Sequence, residues 1–464
     1  MADIILGIPS SILALNQKGL LERAFHDGLF PNLAYRAEAM PEEWPANTGT
    51  QQFQTRPGLL APSVLPITPG QDPSSSQVPY EQWVAQLAQF GGSIDTHMPT
   101  SVTSSANLFL RNIKQLGLQA GQSVNRIARN ALFQAYLSGQ TVSIAATGSS
   151  DTTLRVASLN GFTDVIILGS NVAPQPVSTQ YPLPITIGTG STAASNTVVG
   201  FSPDTQSDPT GPGTLTLGST VGAVFAARST VMSAYAPIIV RSAPGNSVDA
   251  ISAADGITLQ QCINAAAFLR RANVQPHDDG FFHVHVSSLG AAQFFADPVF
   301  QRLNQSLPEY VIYKEGFMGQ MAGMLFFLNL ESPESFNTGA QVATSGLGIL
   351  GSEIGGEVVN GTGVNIGRAI ITGKGAIYER YLDESAYMTE AGTTGKTGEF
   401  SVSNSGLQIL TERIRLILRA PLDKLQQVVS TSWSISTSFP TPSDITAPSG
   451  AQRFKRSVVL EYAT

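Results

Sequence analysis

A chain of 464 residues, 42% of them hydrophobic, has material for two to four cored domains, and a single cysteine excludes an internal disulfide framework. The formal net charge of -7 argues against tight, unspecific binding to nucleic acid, which depends on Lys and Arg neutralising phosphates. Only 13% of residues are charged, while Gly (44) and Pro (28) make up about one residue in six, a composition suited to β-rich structure, extended arms and surfaces buried against other protein.

The first hundred residues contain little that can form a core alone. Met1 to Leu15 is apolar but carries Asp3 and no basic leader, so it does not read as a secretory signal, and no later run reaches membrane-spanning length. Leu20, Leu21, Ala24 and Phe25 give one short amphipathic helix within Gly19 to Asn32, after which Pro31, Pro41 and Pro45 break the chain. Six prolines between Arg56 and Tyr80 mark an extended excursion. It returns as a strand, Tyr80 to Phe90, in which Trp83, Ala85 and Leu87 alternate with polar or small residues until Gly91 and Gly92 end it. A loop of ~40 residues is a poor fit inside one compact subunit. Its expected use is to lie across a neighbouring subunit, with Leu59, Leu60, Val64, Leu65, Ile67 and Trp83 as the contact residues, the alternative being a flexible linker.

Thr103 to Gly139 then keeps one unbroken helical stripe: Phe109, Ile113, Leu116, Ala120, Val124, Ile127 and Ala131. At ~1.5 Å per residue such a helix is roughly 55 Å long, the length of a spine. Ser101, Thr103 and Ser104 offer capping hydroxyls, and Gly139 can take the left-handed conformation that closes a helix. Gly117 and Gly121, one turn apart, each cost roughly 1 kcal/mol relative to Ala, so the pair predicts a kink, a flexible point, or another backbone packed very close.

From Gln140 to Ala243 the texture changes. Short β-type runs (142–145, 164–168, 183–187, 197–201, 215–217, 237–241) separated by Gly, Ser, Pro and Asn predict an inserted β domain, a sandwich or small barrel, with 223–235 ambiguous between helix and strand. The helical period returns at Ile257 to Asn273, followed by a strand at Phe281 to Val286, a helix from Gly290 to about Ser306 and a strand at Met324 to Leu330, which is α+β patterning. After a glycine-rich loop region, Ile366 to Ile371 and Ala376 to Tyr381 flank the turn 372–375. Arg413, Arg415 and Arg419 share one face of a strand whose other face carries Ile414, Leu416 and Leu418, and Ser457 to Tyr462 reads as a final strand.

Candidate chemistry is sparse. His277, Asp278, Asp279, His283 and His285 are the strongest metal pattern, since His283 and His285, at i and i+2 on a strand, point to one side and could share a metal with a nearby carboxylate. A lone pair of this kind more often lines a packed sheet face. Residues 346–351 spell GxGxxG without the flanking strand and helix of a dinucleotide site. Cys262 falls on the apolar side of a helix with no evident partner. No catalytic, cofactor-binding or metal residue is therefore assigned, and the reading is of a protein that is not an enzyme.

The order of parts resembles the major capsid proteins of tailed bacteriophages, the Hong Kong 97-type fold. The stretch Trp83-Val84-Ala85-Gln86-Leu87-Ala88-Gln89-Phe90-Gly91 is similar to the aromatic-Gly ending of that family's extended loop, and further likeness lies in 126–136, 278–285, 295–301 and 372–378. The resemblance implies an N-terminal arm (1–49), an extended loop (50–99), a spine helix in a peripheral domain (100–139), an inserted β domain (140–245), an axial domain (246–365), and peripheral strands with a C-terminal segment (366–464). It implies a subunit that assembles with itself as hexamers and pentamers into an icosahedral shell around double-stranded DNA. Portal, scaffold and decoration proteins are the implied partners, with no sequence-specific DNA binding, no cofactor and no membrane. The implied location is the virion capsid, after synthesis and assembly in the bacterial host cytoplasm. Some relatives cross-link Lys to Asn, for which Lys314, Lys374 and Lys396 are candidates without an identified partner. A tail or surface fibre protein shares the composition but calls for a repeat, which the chain lacks. A metal-dependent enzyme using His283 and His285 is the remaining alternative.

Overall fold

The computed structural model describes residues 20–29, 34–45, 48–57, 66–67, 69–73, 75, 78, 80–103, 108–166, 174–243, 245, 247–305, 319–329, 331–333, 354–382, 401–403, 406–411, 413–419, 424–425, 427–442 and 456–464. The fold is α+β: six α-helices and several sheets are seen among the described residues. The chain divides into two compact units, one from 1–52, 85–128 and 377–440, the other from 53–84, 129–376 and 441–464. Among the described residues no helix is long and apolar enough to cross a membrane.

The first unit is organised by the strand Val428–Ser438, whose alternating sequence buries Val429, Thr431, Trp433, Ile435 and Thr437. Ala88–His97 pairs antiparallel along it, from His97 opposite Val428 to Ala88 opposite Thr437. Ile414–Arg419 and Tyr378–Leu382 also pair with it, and Met40–Trp44 adds in parallel to Tyr378–Leu382. Gly91 and Gly92 thus lie inside a strand rather than ending one. A Cβ on Gly91 would sit 2.7 Å from the Trp433 carbonyl oxygen, and one on Gly92 would sit 2.9 Å from Trp433 Nε1, so the two glycines make room for the neighbouring strand and its indole.

The long helix spans Leu108–Tyr136, and Gly139 (φ 70°) follows it in the left-handed conformation. Its start differs from expectation. Ser101 and Thr103 belong to a separate short helix, Met98–Thr103, and 104–107 lie outside the described residues. The expected stripe is buried from Phe109 through Ile113, Leu116 and Ala120 to Val124. Beyond that, Ala128, Leu132, Phe133 and Tyr136 are buried while Ile127 and Ala131 are only half-buried. Each step of four residues carries the buried face about 40° further round a helix of 3.6 residues per turn. The face therefore rotates, and the residues after Ala128 belong to the second unit.

The second unit holds a mixed six-stranded sheet in the order Ile239–Arg241, Ser457–Ala463, Ile366–Thr372, Phe282–Val286, Met324–Leu328, Gln320–Met321. Ile366–Thr372 and Ser457–Ala463 are each buried at all seven residues, as near-continuous apolar runs require. Leu259, Cys262, Ala265, Ala266 and Leu269 of the helix Leu259–Arg271 enter their core, with Phe294 and Phe300. The helix expected from Gly290 to Ser306 is two helices, Ser288–Ala296 and Pro298–Gln305. Pro298 disfavours helical backbone at Asp297 (ψ 121°), whose carboxylate accepts from the N–H groups of Leu259 (2.8 Å) and Val299 (2.9 Å). Ile239–Arg241, expected with the inserted β domain, instead extends this sheet parallel to Ser457–Ala463. Nor do the two strands flanking 372–375 pair: Ile366–Thr372 lies in this sheet and Tyr378–Leu382 in that of the first unit.

Between the long helix and this sheet the chain forms a small antiparallel barrel, ordered Gln140–Val142, Thr230–Ser233, Leu183–Ile187, Ala194–Pro203, Gly213–Leu217, Thr153–Val156. The bridge between Ser143 and Val156 joins its first and last strands, with Ile144 N–H donating to Arg155 O at 2.9 Å. Leu154, Val156, Phe162, Leu183, Ile185, Ile187, Val198, Leu215 and Val231 fill its core. The ambiguous segment 223–235 supplies one strand, Thr230–Ser233; Thr153–Val156 escaped the sequence reading because Arg155 interrupts a run of only four residues.

Candidate functional site

The strands Gln51–Pro57 and Tyr80–Gln86 form a two-stranded ribbon of their own. Strand alternation gives it unlike faces. Gln54, Glu81, Trp83 and Ala85 are buried, and the Arg56 guanidinium lies 3.4 Å from the Glu81 carboxylate. On the other side Gln82 Nε2 donates to Thr55 Oγ1 at 3.0 Å, and the flanking Phe53, Tyr80 and Val84 are 55%, 44% and 38% exposed. Ile67, in the connecting segment, is exposed as well. Trp83, an expected contact residue, is only 8% exposed, because it shares the parity of Glu81 and Ala85. Leu59, Leu60, Val64 and Leu65 lie outside the described residues. Tyr80 and Val84 were missed because apolar residues facing out have no signature separate from those facing in.

The spine's glycines have a local explanation. The helix Leu20–Leu29 crosses it with main chain against main chain: a Cβ on Gly117 would collide with the Phe25 carbonyl oxygen, and one on Gly28 with that of Lys114. Gly121 is buried, and the helix runs unbroken through both positions. Of the outcomes expected from the glycine pair, close approach of a second backbone is found at Gly117. Two residues on, Gln119 Oε1 accepts from Trp433 Nε1 at 3.4 Å.

Two carboxylates are held by paired guanidiniums. In the first unit Glu379 accepts from Arg36 Nη2 and Arg413 Nη1, each at 2.7 Å. In the second, Glu461 stands directly opposite Arg241 on one neighbouring strand and Arg368 on the other. It accepts from Arg241 Nε at 2.9 Å and Arg368 Nη2 at 2.8 Å. Full burial by itself pushes the Glu461 carboxyl up, but the two guanidiniums outweigh it and hold the group below the ordinary carboxylate range.

His283 and His285 do lie on one side of the strand Phe282–Val286, yet their surroundings are those of a packed face. Phe327 of the adjacent strand packs edge-on against His283 and stacks on His285, and His285 is 1% exposed. His283 Nε2 is 2.8 Å from Asp279 Oδ2, and its ring stacks on His277 at 3.9 Å. Cys262 is buried, which pushes its thiol up and leaves it un-ionised. Lys374 pairs with Asp278; Lys314, Lys396 and the GxGxxG stretch lie outside the described residues.

No protein-family model matches the sequence, and no curated protein matches it. Solved structures do. The capsid of cyanophage P-SCSP1u is 10% identical, with 94% of this chain and 88% of that chain covered at a TM-score of 0.43. The capsid of cyanophage Pam1 is also 10% identical, covering 94% and 91% at a TM-score of 0.45. The capsid of Ralstonia phage GP4 is 11% identical, covering 93% and 92% at 0.43. The chain is similar to phage capsid chains over nearly its whole length.

Proposed function

We propose that this chain is the major capsid protein of a tailed double-stranded DNA bacteriophage, with the Hong Kong 97-type fold, assembling as hexamers and pentamers into an icosahedral shell. The order of parts carries this reading: an N-terminal strand added to a sheet, an extended ribbon, a 29-residue helix, a barrel spliced in, and a mixed sheet closed by the last strand. The ribbon supports it physically. A two-stranded sheet is marginal in water by itself, and this one turns Phe53, Tyr80 and Val84 outward, so a neighbouring subunit completes it. On this reading the inter-subunit contact comprises that face together with Ile67 and the apolar residues Leu59, Leu60, Val64 and Leu65. Trp83 supports it from beneath. Portal, scaffold and decoration proteins bind the assembled shell, and the role is structural rather than catalytic. Electron microscopy of the overexpressed chain tests the proposal: closed shells or ordered capsomers are expected, and a small monodisperse particle that never assembles overturns it.

A further inference from the structure

Among the described residues the barrel is attached to the rest of its unit at several points, including Asn160 Nδ2 donating to Gly355 O at 3.4 Å, and two of these attachments differ in kind. The first is where the chain enters and leaves. Ser233 N–H donates to Gly139 O at 2.7 Å, Gln140 Nε2 to Pro237 O at 2.6 Å, and Gly139 N–H to Asn160 O at 2.8 Å, so both crossings and their tethers are gathered at one place. Two adjacent covalent crossings fix a position but leave a rotation.

The second attachment is Arg228, five residues before Ser233 and so roughly 15 Å away along an extended chain. Its Nε and Nη2 donate to the two carboxylate oxygens of Asp249 at 2.8 and 2.6 Å, and its Nη1 and Nη2 to those of Glu357 at 2.7 Å each. Both acids come from outside the barrel. Gly361 N–H donates to Asp249 Oδ1 at 2.6 Å, and a Cβ there would lie 2.7 Å from Arg228 Nε, so a glycine clears the space for the fork. Arg228 itself sits at φ 70°, a conformation that glycine accepts freely and a side chain does not. Its main chain is occupied within the barrel, where its N–H donates to Ser143 O at 2.8 Å. An arginine held where the backbone favours glycine points to work done by its side chain. The three side chains are 31%, 17% and 24% exposed, which leaves the clamp open to water and salt.

We propose that Arg228 is a releasable latch: it pins the barrel to the body of its unit, and its release lets the barrel turn about the crossing at Gly139 and Ala236. Arg228→Gly removes the side chain while relieving the backbone, so it separates latching from folding; Arg228→Lys keeps the charge without the fork.

Spin labels on Ser191→Cys in the barrel and Gln260→Cys outside it, both exposed positions, report the motion in the full-length chain, where native Cys262 is buried from the reagent. The expected result is a narrow distance distribution with Arg228, one at least about twofold wider with Arg228→Gly, and an intermediate width with Arg228→Lys. Salt at about 1 M, where the screening length is ~3 Å, widens the parent and adds little to Arg228→Gly. An unchanged width in Arg228→Gly overturns the latch. Faster hydrogen exchange in Leu183–Ile187 and Gly213–Leu217 of that variant also overturns it, since Arg228 then serves the barrel's own fold.

Discussion

The mixed sheet of the second unit and the ribbon represent two ways of using strands. In the sheet, Ile366–Thr372 and Ser457–Ala463 are buried along their whole length, and even their charges are matched in register across Arg241, Glu461 and Arg368. The ribbon has only two strands and exposes the apolar side chains of one face. A sheet completed within one chain answers to mutation through stability; one left incomplete answers through what it binds. Substitutions in the two regions are therefore expected to separate folding from the proposed assembly.

The largest effect belongs to the ion triad. Glu461→Gln leaves the buried Arg368 guanidinium and the largely buried one of Arg241 facing each other without their shared counter-charge, a loss of roughly 3–5 kcal/mol. A large fall in the urea midpoint reads it. Replacing all three charges together by Met and Leu recovers most of the loss, because the cost lies in an unpaired buried charge rather than in the absence of the pair. The same triad sets an acid limit. The folded Glu461 group lies below its unfolded value of about 4.3, so its contribution is complete above that value and is lost as pH falls through the lower folded one. The gap between parent and Glu461→Gln in urea titrations is therefore expected to narrow between pH 5 and acid; a constant gap assigns the loss to packing.

A smaller effect is expected at the helix crossing. Gly117→Ala gains roughly 1 kcal/mol of helix propensity but pushes a methyl group into the Phe25 carbonyl, an overpacking cost of typically 1–3 kcal/mol. A net fall in thermal midpoint is the expected sign, and a rise shows that the helix Leu20–Leu29 moves aside freely. We propose Gly121, one turn on, as the point where the spine yields during shell maturation. Gly121→Ala is the cleaner probe of that role, and particles that mature unchanged sink it.

The parts legible in the sequence are those fixed by local period. The stripe from Phe109 to Val124 and the runs Leu183–Ile187 and Ser457–Ala463 each carry their own repeat, whereas the strand Val428–Ser438 was not legible. What escaped depends on a partner distant in sequence. Gly91 and Gly92 look like a strand's end until Trp433 fills the space a side chain would take. Ile239–Arg241 looks like the barrel's last strand until Glu461 meets Arg241 across the other sheet. The stripe was misjudged after Val124 because a period does not say when a helix changes its surroundings. At the ribbon, parity was readable from Glu81-Gln82-Trp83-Val84, but which parity faces out was not.

The ribbon gives the smallest change in stability and the sharpest contrast. Phe53→Ser, Tyr80→Ser and Val84→Ser lie on an exposed face, where single substitutions typically stay within about 0.5 kcal/mol, so the unassembled chain keeps its urea midpoint. If a second subunit covers that face, each Ser removes apolar area from the contact, at about 25 cal/mol per Å² buried. A shell repeats the loss at every copy. The triple variant is therefore expected to remain folded yet form no shells in electron micrographs, while Gln82→Ala, which lacks a large apolar group, assembles. Normal shells from the triple variant place the subunit contact elsewhere, and an unfolded triple variant shows that the face is needed within the chain itself.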